Sequence, residues 1–142
     1  LDPFSDHMSG HTDLEYLLRA ADPVLDDQHY VFVSLSGEYG DYADWNPIAT
    51  FAEAEGLTLV VPRSTADEHG VAYDDVLQRI TLRVHSSLSA VGLTAAFSAA
   101  LTREGISANV IAGYYHDHIF VPVTDAARAM IALEGLSPED SG

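Results

Sequence analysis

Cysteine is absent from these 142 residues. Its absence excludes disulfides, thiolate nucleophiles and thiolate-bound zinc, so a resident metal would have to use His, Asp and Glu. Lysine is absent as well, and six arginines stand against 22 acidic residues, a formal charge of −16 with histidine neutral. A surface this negative repels phosphate backbones and anionic lipid, which argues against nucleic acid and membrane surfaces as partners. Two explanations of the charge stay open. One is solubility with a bias against lysine; the other is adaptation to high internal salt, where counterions screen the self-repulsion. No run approaches the roughly 18 apolar residues of a membrane-spanning helix, and the chain reads as cytoplasmic. Neither a glycine-rich phosphate loop nor a nucleophile elbow is present. Glu53 and Glu55 lie two apart in a turn and read as solvated surface rather than as an acid–base pair.

What is present is ordinary core material, 47% apolar residues, enough for one compact unit or two very small ones. Residues 1–8 match no element and read as a cloning remnant that ends near Met8. Thr12 and Glu15 have capping-box spacing ahead of Leu14, Leu17, Leu18 and Ala21, which predicts a helix stopped by Pro23. A strand is expected over 30–35. A loop with Tyr39, Tyr42 and Trp45 follows, as a ligand lid or as a plug where a helix is missing. A hairpin is expected over 48–61, then a short helix over 64–69 capped by Ser64, and a further short segment near Tyr73–Leu77.

The second half is more regular. Ile80, Leu82 and Val84 alternate with Thr81, Arg83 and His85, which predicts a strand over 79–85. Leu93, Phe97, Ala100 and Leu101 mark a helix ended by Gly105, followed by strands over 108–112 and 119–123. Thr124 and Asp125 cap a last helix whose apolar face is Ala127, Met130, Ile131 and Leu133; the tail from Ser137 is polar. Residues 79–136 thus read β-α-β-β-α, and residues 30–70 repeat the plan without its first helix. The fold class is α+β: two ferredoxin-like βαββαβ modules in tandem, with antiparallel sheets and helices on one face. The boundaries are 9–77 and 78–136, with 137–142 as a tail. The helix and strand over 12–35 have the order that would complete the second module, so an intertwined arrangement in one continuous sheet is a further expectation.

Several stretches carry a resemblance. The strand 79–85, the turn Ser86-Ser87-Leu88-Ser89-Ala90-Val91-Gly92-Leu93-Thr94 and the return strand Asn109-Val110-Ile111-Ala112 resemble an ACT domain. Ala49-Thr50-Phe51, Glu53-Ala54-Glu55-Gly56-Leu57-Thr58-Leu59-Val60, Val84-His85-Ser86-Ser87-Leu88 and Gly113-Tyr114-Tyr115-His116-Asp117-His118 are similar to the small tandem ACT-like proteins, relatives of the ACT-like domains of cytosolic arginine sensors. The resemblance covers about residues 12–136. It implies a non-catalytic regulatory module, without a cofactor, that binds an amino acid or similar small ligand and acts on an unidentified regulated protein. The assembly would be a monomer with pseudo-dimeric modules or a homodimer. The ligand positions so implied are His85, Ser86, Ser87, Leu88, Ser89, Val91, Gly92 and Leu93, with Asn109, Val110 and Ile111 on the strand.

Chemistry gives these positions content. Amides at a helix N-terminus favour a carboxylate, Gly92 leaves room for close approach, and the serine hydroxyls accept or donate. A well-capped helix, with Ser89 as N-cap, explains the same residues without a ligand. His116-Asp117-His118 is expected at a hairpin tip, with Tyr114 and Tyr115 alternating, one packed and one outward. Its alternative is a metal site formed by His85, His116 and His118, and with it a metal-dependent enzyme. The remaining alternative is a protein-interaction module with no small ligand.

Overall fold

The computed structural model describes residues 22–83 and 90–134. The predicted helix over 12–21, residues 84–89 with the end of the predicted strand 79–85 and most of the predicted turn 86–90, and the tail lie outside the described residues. The chain divides into two compact units, Asp26–Arg79 and Leu1–Leu25 with Ile80–Gly142. Two strands run through the division, β1 (Pro23–Leu35) and β4 (Leu77–Leu82), so each contributes residues to both units.

The Asp26–Arg79 unit adds β2 (Ala49–Glu53), β3 (Gly56–Pro62) and the short helix α1 (Arg63–Glu68). Its strand order is β2-β3-β1-β4. β3 is antiparallel to both β1 and β2. Because side chains alternate, the cross-strand pairs Val31–Val61, Val33–Leu59 and Leu35–Leu57 share one face, and Ala66 of α1 packs there. Phe32–Val60 and Ser34–Thr58 face the other way.

β1 begins at Pro23, seven residues before the strand read from sequence. Asp26, Asp27 and Gln28 carry no strand signal of their own. Tertiary bonds hold them extended: the Asp26 carbonyl accepts from Gln78 Nε2 at 3.0 Å, and its carboxylate accepts from Arg79 at 2.9 Å. The aromatic loop contains a 3-10 helix, Tyr39–Trp45. Tyr42 and Trp45 pack against the core as a plug, whereas Tyr39 is exposed. The Trp45 ring stacks on His69 with centroids 4.0 Å apart, and the Tyr42 hydroxyl donates to the Ser36 carbonyl. Ser64 is not the cap of α1. The helix starts at Arg63 behind Pro62, whose fixed φ of −57° sets the entry without a side-chain cap. Residues 71–76 form no element before β4 begins at Leu77.

Gly56 opens β3 against β1. A Cβ there would lie 2.8 Å from Ser34 Oγ and 3.1 Å from the Leu35 carbonyl oxygen. The carbonyl belongs to the β1–β3 ladder and cannot retreat. Gly56→Ala is expected to cost about 1–3 kcal/mol of stability, read as a lower urea midpoint; an unchanged midpoint would show that the backbone there is free to shift.

The other unit adds α2 (Ala90–Arg103), β5 (Asn109–Ala112), β6 (Asp117–Pro122) and α3 (Ala126–Glu134), with strand order β1-β4-β6-β5. Ile80 and Leu82 of β4 and Ile119 and Val121 of β6 present one buried face. Onto it pack Ala96, Phe97, Ala100 and Leu101 of α2 and Ala126, Ala129 and Leu133 of α3. The alternation read in β4 therefore holds. The face read for the last helix holds in part: Leu133 is buried and Met130 packs on the core, whereas Ile131 is 68% exposed and Ala127 is exposed. A 3-10 turn over Val123–Asp125 leads into α3 at Ala126, where the capping signal at Thr124 and Asp125 puts the helix start. Ala126 and Ala129 face the core beside Leu133.

Candidate functional site

The positions singled out on the sequence are described in part. Val91, Gly92 and Leu93 occupy the first turn of α2, and Gly92 is half-buried. His85, Ser86, Ser87, Leu88 and Ser89 lie outside the described residues. Asn109, Val110 and Ile111 form most of β5, the edge strand of its unit. Register sorts them by face. Val110 pairs with Ile119 of the core face, whereas Asn109 and Ile111 pair with Phe120 and His118 on the opposite face.

β4 and β6 are neighbours, and Thr81 Oγ1 lies 3.0 Å from His118 Nδ1, hydrogen-bonded in a sense set by the imidazole tautomer. The sheet end from which the chain leaves β4 toward α2 is therefore the end where β6 begins. Ile111 reaches that end through its pairing with His118. Asn109 sits two residues back, roughly 7 Å along the strand. The structure thus brings Thr81, Ile111 and His118 together and leaves Asn109 apart from them. Thr81 was missed on the sequence, although its alternation with Arg79 and Arg83 already placed it on that face.

The hairpin differs from expectation. Gly113 N donates to the His116 carbonyl at 2.8 Å, so the two-residue tip is Tyr114-Tyr115. Asp117 and His118 already belong to β6, Asp117 opposite Ala112. Tyr114 and Tyr115 are 95% and 80% exposed and touch edge to face at 5.0 Å. Neither packs, because a tip of two residues projects both side chains beyond the sheet. A Cβ on Gly113 would lie 3.0 Å from the His116 carbonyl oxygen and 3.3 Å from His118 Nε2, so glycine gives the imidazole its place. Among the described residues no group of three or more His, Asp and Glu is arranged to hold a metal. His116 and His118 lie at the hairpin and on β6, and His85 is outside the description.

The Asp26–Arg79 unit holds a polar cluster and a cleft. Asp26 accepts from the Tyr30 hydroxyl at 2.7 Å and from Arg79 at 2.9 Å, and Arg79 lies over the Tyr30 ring at 5.5 Å. Burial opposes ionisation of Asp26, but bonds from the Gln28 amide, Tyr30 and Arg79 outweigh it, and its carboxyl titrates below the ordinary 3.8. Burial, then the Asp26 carboxylate, pushes the Tyr30 phenol up to about 12, so it stays a donor. The cleft measures about 430 Å³. Phe32, Val33 and Ser34 of β1 and Thr58 of β3 form one wall, and Ala72, Tyr73 and Asp74 the other. The Thr58 hydroxyl donates to Glu53 at 2.6 Å. The Tyr73 hydroxyl donates to Asp67 at 2.8 Å and accepts from Arg63 Nε at 3.0 Å. No sequence signal marked this cleft, because it depends on where residues 72–74 run beside β1.

Family models described as ACT domain match residues 9–78 and residues 78–135. No curated protein is significantly similar to the chain. Among solved structures, a Vibrio cholerae protein of unknown function, described as a possible transport protein, is 50% identical. That match covers 91% of this chain and 99% of that one, with a TM-score of 0.82. An Agrobacterium tumefaciens protein matches at 16% identity and TM-score 0.69, over 81% of this chain and 87% of its own. The ligand-free regulatory subunit of aspartate kinase from Thermus thermophilus matches at 11% identity and TM-score 0.61, over 80% and 95%. At that identity it shares the fold.

Proposed function

We propose, from the premise that this chain belongs to the ACT-domain family and carries two of its domains in tandem, that it is a non-catalytic cytoplasmic regulatory protein whose ligand is an amino acid or a close analogue. The observation that carries the reading is this pair of domains, together with neighbours that include regulatory subunits of aspartate kinase. The ligand site is the turn leading into α2, residues 85–93. There the N-terminal turn of a fourteen-residue helix favours a carboxylate through its dipole, and Gly92 admits the ligand backbone. Asn109, Val110 and Ile111 supply the strand side, with Ile111 the nearer to the turn. Binding regulates by favouring one arrangement of the modules, or of the protein with its target, because a ligand shifts only states that it binds unequally. No helix among the described residues is long and apolar enough to cross a membrane.

Equilibrium dialysis against an equimolar mixture of the twenty amino acids, with the retained ligand identified by mass, tests the reading. The wild type is expected to retain one amino acid. Gly92→Phe is expected to lower that affinity by roughly 100-fold, about 2.7 kcal/mol, with the far-ultraviolet dichroism unchanged. Unchanged affinity in a folded Gly92→Phe protein sinks the site assignment. A second reading, a docking module without a small ligand, is favoured by the exposed Tyr114 and Tyr115. It predicts wild type that retains no amino acid and forms a complex lost in Tyr114→Ser/Tyr115→Ser.

A further inference from the structure

The cleft between β1, β3 and residues 72–74 differs in chemistry from the turn before α2. Its volume of about 430 Å³ falls in the range of small-molecule sites. Phe32 and Ala72 give it an apolar bed, while the Val33 side chain turns to the core face behind it. Its polar groups are biased toward accepting. Thr58 has already committed its one proton to Glu53 and offers only lone pairs. Tyr73 has both its donor and an acceptor position occupied, by Asp67 and Arg63, so only its ring is available. Asp74 is an exposed carboxylate. Among the described side chains that line the cleft, Ser34 alone offers a donor.

Charge points the same way. Residues 26–79 hold eleven Asp and Glu and two Arg. Both arginines are engaged: Arg63 with Tyr73 and Asp67, Arg79 with Asp26. Among the described residues that line the cleft none is cationic, so none receives a ligand carboxylate. A zwitterionic amino acid placed there would leave its carboxylate facing like charge, whereas an ammonium group with three donors finds acceptors and carboxylates around it.

We infer that this cleft is a second binding site, for a primary organic ammonium ion with a short apolar body and no carboxylate. The ammonium group lies toward Thr58 and Asp74, and the apolar body rests on Phe32 and Ala72. This site does not depend on the amino-acid reading of the turn before α2, and each stands or falls alone.

The test is a heteronuclear NMR titration of the full chain with 2-phenylethylammonium, with 2-phenylethanol and phenylalanine as neutral and zwitterionic controls. The expected result is saturable binding of the amine that perturbs amides of residues 32–34 and 72–74, at least about tenfold tighter than either control. Asp74→Asn is expected to weaken it by about tenfold, and Ala72→Trp, which fills the cleft, to abolish it. Three results would overturn the inference: no saturable binding of the amine, phenylalanine bound as tightly as the amine, or amine binding that persists in both folded variants. Because Gly92→Phe lies in the other unit, it is expected to leave the amine titration unchanged.

Discussion

Asp26→Asn is expected to lower stability at neutral pH by about 1–3 kcal/mol, most of it absent at low pH. Asp26 and Arg79 are 23% and 28% exposed, so their pair is neither a screened surface bridge nor a dry one. Removing the charge leaves the guanidinium without its counterion, and Arg79 Nε is already buried without a hydrogen-bond partner. The Tyr30 hydroxyl and the Gln28 amide lose a charged acceptor as well. These residues adjoin the points where β1 and β4 pass from one unit to the other, so the loss falls on both strands. The pH dependence follows from the direction of the shift. The folded carboxyl titrates below 3.8, so its contribution is fully present above the unfolded value and disappears as pH falls through the folded one. Urea midpoints of wild type and Asp26→Asn should therefore differ at pH 7 and converge as the pH falls through the lowered titration of the folded carboxyl. A difference that is the same at pH 7 and below that titration would mean the mutation acts through packing and not through the charge.

Phe97→Ala is expected to cost about 3–5 kcal/mol. Phe97 is 1% exposed and sits in the cluster formed by Ile80, Leu82, Ile119 and Val121 of the sheet with Leu101 and Leu133 of the two helices. Truncation removes a ring that joins α2 to this cluster, and the strands behind it are held in register, so the site collapses only partly. Against a total stability of about 5–15 kcal/mol, the variant should melt well below wild type. Near-wild-type melting would contradict the packing of α2 on β4 and β6.

Legibility on the sequence tracked how locally each feature is encoded. The alternation of Ile80 and Leu82, the hairpin around Gly56 and the Phe97–Leu101 face of α2 are each written within a few residues, and the structure has them. The first half of β1 is not written locally: Asp26, Asp27 and Gln28 carry no strand signal and become strand through partners about fifty residues away, Gln78 and Arg79. In α3 the start after Thr124 and Asp125 and the inward Met130 and Leu133 were legible, but Ala126 and Ala129 reach the core with too small an apolar signal to outweigh Ile131 on the sequence. At the sites, residue type marked Gly92 and the histidines, but not which strand end they share. The Thr81–His118 bond joins residues 37 apart and needs the strand order to be seen. The cleft was illegible for the same reason, since Thr58 and Asp74 have no relation in sequence.

The central claim, an amino-acid-binding regulatory protein, is tested most directly by thermal melting of the full chain in the presence of each of the twenty amino acids, one at a time, at low and at high salt. A ligand at 100 times its dissociation constant stabilises by about 2.7 kcal/mol, which for a chain of this size is a rise of roughly 5–10 °C. One amino acid, or one with its close analogue, is expected to give that rise, and Gly92→Phe to remove it. A clean two-state transition that none of the twenty moves, at saturating concentration in either salt, would contradict the claim.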